Sequence, residues 1–394
     1  MTRRNFLAAA AASQAMGLRA QAKPVNIGIV GGRFGATFQW HLQPNAKVAA
    51  VCDIDKARLD TLSEVYRCPN QYDDFQRMLK APGLNAVGVF TPAPLHVWMA
   101  EEAMKAGKHV ISAVPAGLSL EDLERLRDTV KRTGMRYMMA ETSYYRPETI
   151  FAREMRERGE FGTIVYSEAE YHHEGLLDLM VDDRGLPTWR YGFPPMWYPT
   201  HSTGMVIPVT GERLKAVSAI GWGDDHEICR TNPYHNPFWN TTGLFESESG
   251  KASRITVAWH IAAGGTERGQ FYGDRGSFLM QRPEGSPDML VRIAKNGRTE
   301  IDANGYPEGK VESAAVKVPD YWERLPEPMR VKSGHGGSHT FLTNEFIQAI
   351  VEDRHPAVNV WEAIAYTAPG LVAHESALKG GERLKIPDFG RAEG

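Results

Sequence analysis

The feature that most constrains this chain is a short apolar run, Val25 to Val30, that stops at a glycine cluster. A second apolar run, residues 48–52, ends at Asp53, and an acid about 20 residues beyond a glycine turn is half of the dinucleotide fingerprint. The turn lets backbone N–H groups approach a pyrophosphate, and the acid accepts from a ribose hydroxyl. The glycines are Gly31, Gly32 and Gly35, with Arg33 and Phe34 between them. This turn is one residue shorter than GxGxxG and so offers fewer N–H groups. Asp53 disfavours a 2′-phosphate and points to NAD as cofactor. The plain alternative is a tight strand-to-helix turn with no ligand.

Residues 34–42 can follow as a helix. Residues 85–90, 109–114 and 135–140 read as further strands. Residues 98–106 and 119–134 read as helices; Ser119 with Asp122 resembles a capping box, and Gly134 stops the second helix. This alternation predicts a Rossmann-like, doubly wound parallel sheet in a domain over residues 23–147. The pattern then changes. One helix, residues 148–158, precedes strand-like runs at 163–173, 214–222, 241–249, 253–261, 269–280 and 289–294. Helices return at 339–352 and 361–378. A second α+β domain over residues 148–394 is expected, with a mostly antiparallel sheet, covering helices, and final helices able to pack back on the first domain. Residues 182–199, rich in Pro, Trp and Gly, read as a site loop.

Residues 1–22 read as an export leader rather than structure. Arg3-Arg4-Asn5-Phe6-Leu7 resembles a twin-arginine motif, a weakly apolar stretch follows, and Ala20-Gln21-Ala22 is a small-x-small cleavage site. The expected location is the periplasm or beyond. Net charge over the 394 residues is −3, which gives no excess for holding a nucleic-acid backbone. The three cysteines, Cys52, Cys68 and Cys229, form no CxxC, and no apolar run is long enough to span a membrane.

Several motifs resemble the Gfo/Idh/MocA sugar oxidoreductases over nearly the whole mature chain. They are Thr91-Pro92-Ala93-Pro94-Leu95-His96, Ala106-Gly107-Lys108-His109-Val110, Tyr145-Arg146-Pro147 and Gly159-Glu160-Phe161-Gly162. The resemblance implies that the loop carrying Thr91, Pro92 and His96 lies against the cofactor. Two departures weaken a simple sugar dehydrogenase. The Lys of the family's Glu-Lys-Pro is Val114 here, and the Asp four residues before the substrate-site His is Trp197, if that His is His201. Both are groups that move protons, and hydride loss from an alcohol needs a base.

Trp197-Tyr198-Pro199-Thr200-His201, Glu170-Tyr171-His172-His173-Glu174 and Gly334-His335-Gly336-Gly337 resemble a branch of that family, the NAD-dependent α-N-acetylgalactosaminidases. The resemblance implies glycoside cleavage by transient oxidation, elimination, hydration and return of the hydride. Tyr171 and His173 would handle the carbon-bound proton; Tyr198 and His201 would bind and polarise hydroxyls and the leaving group. Alternation along a strand puts Tyr171 and His173 on one face, Glu170 and His172 on the other.

A divalent metal is the alternative cofactor, with Glu141, His173, His201 and His335 as candidate ligands, and His172 and His339 beside them. In that case the reaction is a metal-dependent lyase or hydrolase step on an oxidised sugar. Trp189, Tyr191, Phe193, Trp197 and Tyr198 suit stacking on a sugar, whereas Trp222, Trp239 and Trp259 read as packing residues. The expected partner is a small carbohydrate or glycoside, and the strand-rich domain suits a homo-oligomer.

Overall fold

The computed structural model describes residues 24–392, except 263–265, 282–284, 294–299, 302, 306 and 309–310. The leader assigned to residues 1–22 lies outside the described residues.

The first sheet is parallel, with β1 (Val25–Val30), β2 (Ala46–Cys52), β3 (Gln71–Tyr72), β4 (Ala86–Val89), β5 (His109–Ser112) and β6 (Tyr137–Met139) in the order β3-β2-β1-β4-β5-β6. This is the doubly wound order expected, with its switch point between β1 and β4. Val30 pairs with both Cys52 and Val89, so the residues that follow these strands gather at one edge. Helices cover both faces: α1 (Lys56–Tyr66), α2 (Phe75–Leu79), α3 (His96–Lys105) and α4 (Leu120–Thr133). Asp55, Asp74 and Ser119 cap α1, α2 and α4 by accepting from Arg58, Arg77 and Asp122 N–H.

The helix expected at residues 34–42 is absent. Two 3₁₀ turns, Phe34–Thr37 and Trp40–Leu42, stand there, with Phe38 extended between them. Phe38 stacks on Phe90 and His339, while Trp40 meets Phe346. Residues two apart on an α-helix point about 200° apart, so a helix could not bury both rings against one core.

The second domain opens with α5 (Pro147–Glu157) and β7 (Ile164–His172). Then come α6 (Thr200–Thr210), β8 (Leu214–Trp222), α7 (Glu227–Arg230), β9 (Asn240–Ser247), β10 (Ala252–Ala258), β11 (Thr266–Gly273), β12 (Gly276–Leu279) and β13 (Met289–Ile293). A separate ribbon joins β14 (Glu300–Ile301) to β15 (Pro307–Glu308); β16 (Val311–Ala315), α8 (Ser338–Val351), α9 (Val360–Leu378) and β17 (Leu384–Lys385) complete the chain. The nine-stranded sheet runs β16-β13-β12-β11-β7-β10-β9-β8-β17 and is antiparallel except for β7 beside β10. The run at 269–280 is two strands, because Asp274 and Arg275 turn the chain and bond back to Thr163 and Phe161 carbonyls.

Helix α6 escaped sequence reading for a physical reason. It is buried on every side and so shows no amphipathic period, and it contains Gly204 and Pro208. The last helices join the two sheets. Leu342, Phe346 and Ile347 of α8 share a core with Ile27 and Ile29, while on α9 Thr367 accepts from Ala116 N–H and Ser376 from Ala219 N–H. Trp239 and Trp259 are buried as expected, but Trp222 is half exposed on the outer face of the sheet. Among the described residues no helix is long and apolar enough to cross a membrane.

Candidate active site

A cleft of about 640 Å³ runs from the glycine turn to the inner face of the second sheet. Its first end lies beyond the carboxyl ends of β1, β2 and β4, lined by Gly31, Gly32, Arg33, Phe34, Asp53, Arg58, Thr91 and Pro92. Gly31 has φ +100°, and a Cβ there would stand 2.3 Å from the Phe90 carbonyl oxygen; one on Gly32 would stand 2.4 Å from that of Arg58. The turn therefore lies flush against β4 and α1 and requires glycine at both positions. Gly35 is also pressed against Ile29 and Phe90, and it is buried.

Asp53 is tied into this turn. One carboxylate oxygen accepts from Gly32 N–H at 2.6 Å and the other from Asp55 N–H at 2.8 Å. Each oxygen keeps a second lone pair for a ribose hydroxyl. Arg33 and Arg58 make no ion pair among the described residues, which suits a pyrophosphate. The crevice therefore fits a dinucleotide, although the amide of Gly32 is spent on Asp53. His96 is buried, with Nε2 at 2.8 Å from the Thr91 carbonyl and Nδ1 at 2.9 Å from that of Pro115, and the single N–H of the neutral ring donates to one of them. It borders the cleft but acts as a clamp on the Thr91–Pro92 loop, with no nitrogen left for a ligand. Burial lowers its pKa, against the pull of those two carbonyls. Val114 also lies on the cleft wall.

The second end is lined by Tyr171, His173, Leu176, Leu179, Trp189, Arg190, Tyr198, His201 and His335. β7 supplies Tyr171, and His173 follows it on the same face, ring centroids 5.7 Å apart; Glu170 and His172 point the other way, toward Arg254 and Arg268. His173 Nδ1–H donates to the Glu174 carbonyl at 2.8 Å, which leaves Nε2 as an acceptor. Tyr171 and Tyr198 lie against His201 at 4.7 and 5.4 Å between ring centroids. Burial raises the Tyr171 pKa well above the usual phenol range, and the nearby Tyr198 adds to this. Burial also raises that of Tyr198, partly offset by Arg190.

His201 sits on the first turn of α6, after Pro199. Its Nδ1–H donates to Glu141 Oε1 at 2.9 Å. Burial disfavours charge on His201, but the Glu141 and Glu267 carboxylates outweigh it and its pKa is raised. Glu267 faces Tyr171 across the β11–β7 pair and holds Ser143 and Arg146 at 2.9 and 2.8 Å. Burial opposes its ionisation, yet His201, Arg146 and the Ser143 hydrogen bond bring its pKa down to about 2. At the cleft edge His339 Nδ1–H donates to the Thr37 carbonyl, so His335 Nδ1–H donates to His339 Nε2 at 2.9 Å. Burial and the neighbouring His201 lower the His335 pKa to about 4, which keeps it neutral.

Sequence reading missed three of these groups. Glu267 is 96 positions from Tyr171 along the chain, and only strand register brings them together. Arg190 lay inside the loop already singled out, and Arg146 inside the Tyr145-Arg146-Pro147 motif. Of the aromatic loop, Trp189 and Tyr198 reach the cleft. Phe193 instead stacks on buried Trp259, and Trp197 packs against Tyr234 and His374.

The metal alternative is not supported. Among the described residues no group of three or more His, Cys, Asp or Glu is placed to hold an ion. Glu141 is committed to His201 and Ser143 N–H, His335 to His339, and His173 Nδ1 to a carbonyl.

A parallel sheet in this order, a crevice at its switch point and a polar site on a second sheet define a two-domain oxidoreductase architecture. Residues 25–141 match the family model described as oxidoreductase family, NAD-binding Rossmann fold (Gfo/Idh/MocA), and residues 319–393 match that of the glycosyl hydrolase 109 C-terminal domain. The chain is thus similar to the Gfo/Idh/MocA family over its first domain and to glycosyl hydrolase family 109 at its C-terminal end. It is 29% identical over 403 residues to a glycosyl hydrolase family 109 protein 2 of Shewanella sp. strain MR-4, covering 93% of this chain and 86% of the relative. It is 26% identical over 391 residues to a glycosyl hydrolase family 109 protein of Streptomyces filamentosus, covering 89% and 74%. The fold is shared with levoglucosan dehydrogenase in complex with NADH (TM-score 0.74, 16% identity, 93% and 100% covered). It is also shared with scyllo-inositol dehydrogenase from Lactobacillus casei with bound NAD(H) and scyllo-inositol (TM-score 0.67, 16% identity, 92% and 99% covered).

Proposed function

We propose that this carbohydrate-active enzyme cleaves a glycoside by transient oxidation of the sugar and elimination of the aglycone. One observation carries the reading: among the described residues the only carboxylate on the cleft wall is Asp53, at the dinucleotide end. Ordinary glycoside hydrolysis needs two carboxylates flanking the scissile bond. The substrate end instead offers Tyr171, His173, Tyr198 and His201. NAD, bound in the crevice, supplies reversible acceptance of a hydride.

The chain's own groups divide the proton work. A C–H beside a sugar ketone is acidic, and His173 Nε2 has the free lone pair to take that proton. Tyr171, kept as a phenol by burial, donates a hydrogen bond to the developing enolate oxygen. His201, favoured in its protonated form by the two carboxylates behind it, gives a proton to the departing oxygen. Tyr198 orients the sugar hydroxyls. Water then adds to the alkene with these proton movements reversed, and the hydride returns to the ketone carbon as the oxygen regains from solvent the proton it gave up to solvent on oxidation.

The test is turnover of an aryl glycoside in deuterated water. Aglycone release with deuterium on the carbon next to the transiently oxidised one supports the reading. Release without deuterium points to direct hydrolysis, and net NADH accumulation without release points to a plain sugar dehydrogenase. Export by the twin-arginine route is part of the same proposal, supported by Arg3-Arg4 and the residues that follow.

A further inference from the structure

A guanidinium with no carboxylate partner stands in the substrate end of the cleft. Arg190 lines it and makes no ion pair among the described residues. Arg146, Arg213, Arg254, Arg268 and Arg354, which are comparably sheltered, each hold a glutamate. Arg190 is also firmly placed. Its N–H bonds Thr188 Oγ1 at 3.1 Å, its carbonyl accepts from Phe193 N–H at 3.0 Å, and Tyr234 OH donates to the adjacent Trp189 carbonyl at 2.5 Å. The guanidinium carbon lies 4.2 Å from the Trp189 ring centroid and 5.8 Å from that of Tyr198.

Stacking on Trp189 uses one face of the guanidinium, and the Tyr198 ring stands farther off, 5.8 Å from its carbon. An arginine carries five N–H donors in a planar fork, so a pair remains for a ligand. That fork matches the two oxygens of a carboxylate or sulfate. The local charge favours the same ligand. Glu141 and Glu267 lie behind His201 and are occupied by Ser143, Arg146 and His201, so neither neutralises Arg190.

We propose that the substrate is an acidic saccharide, with a carboxylate or sulfate group that Arg190 binds in two-point fashion while Trp189 flanks the sugar. This names the substrate class of the proposed glycosidase and rests on the location of that site. Its test measures binding alone and needs no turnover.

The full-length mature protein is titrated with glucuronate, galacturonate and glucose 6-sulfate, with glucose and galactose as neutral controls. Trp fluorescence and calorimetry provide the readouts. At least one acidic sugar should bind about 10- to 100-fold tighter than its neutral counterpart, the scale of a charge-assisted hydrogen-bond pair. Raising salt should erode the preference. A tighter uronate identifies the carboxylate; a tighter sulfate ester identifies the sulfate. Arg190→Gln should abolish the preference and leave neutral-sugar binding within a few-fold; Arg190→Lys should keep part of it. Equal binding of acidic and neutral sugars by the wild type overturns the proposal. So does a preference that survives Arg190→Gln, or a variant that loses both classes alike. Solvent-deuterium labelling with a neutral glycoside alone would leave the oxidation–elimination reading standing and remove this one.

Discussion

Glu141 Oε1 accepts a hydrogen bond from His201 Nδ1 at 2.9 Å, with both side chains shut away from solvent. The same oxygen takes Ser143 N–H, and Oε2 has no partner among the described residues. A buried carboxylate so placed needs a cation, and His201 is the one that touches it. The pair therefore favours a proton on the cleft-facing nitrogen of His201 as well.

Stability should depend on pH through this pair. The folded-state pKa of His201 is raised: burial opposes the charge, and Glu141 and Glu267 override it. The contribution is complete below the unfolded value of about 6.5 and is lost as pH rises through the folded value. Urea unfolding should show stability falling as pH rises above about 6.5. Glu141→Gln should reduce that dependence and move the alkaline limb of kcat/KM to lower pH. An unchanged limb in the variant would remove His201 as the acid.

Tyr171→Phe should fold like the wild type, because among the described residues its hydroxyl has no hydrogen-bond partner whose loss would strand a buried group. Turnover should drop about 10²- to 10⁴-fold, the scale of a positioned acid or base. Solvent-deuterium uptake should slow in step. Slower aglycone release with unaltered deuterium exchange would confine Tyr171 to the leaving-group step.

Asp53→Ala should act twice. Losing the acceptor strands the buried Gly32 N–H, at a cost of about 1–3 kcal/mol, so calorimetry without nucleotide should show a lower Tm. NAD binding should weaken as well. A lower Tm with intact NAD affinity would make Asp53 purely a brace for the turn.

Gly204→Ala tests how tightly α6 seats the dyad. In a solvated helix this change stabilises by about 1 kcal/mol. Here the new Cβ would stand 2.6 Å from Glu141 Cγ, and overpacking of that kind costs about 1–3 kcal/mol. A lower Tm together with lost activity is expected. A rise in Tm would show that Glu141 has room to move.

Arg3→Lys with Arg4→Lys should hold the protein in the cytoplasm, since the paired guanidinium groups are what the translocase reads. Fractionation and blotting check this; normal delivery of the variant would reject the leader.

The sequence by itself determined the layers. Runs of apolar residues such as Val25 to Val30 are buried on both faces of a parallel sheet, so their spacing is local information. The Ser119 cap and the strand alternation that puts Tyr171 and His173 on one face are local too, and so could be read directly. Tertiary structure decided the rest. Helix α6 has no polar face for a pattern to reveal, so its placement of His201 against Glu141 was invisible. Residues 34–42 gave up their helix because Phe38 and Trp40 are both claimed by a core completed by α8, some 300 positions onward. The same long reach committed the candidate metal ligands Glu141, His201 and His335 to hydrogen bonds with one another and with their neighbours. Which partner a side chain finds depends on strand register and helix docking, and neither leaves a mark at the residue itself.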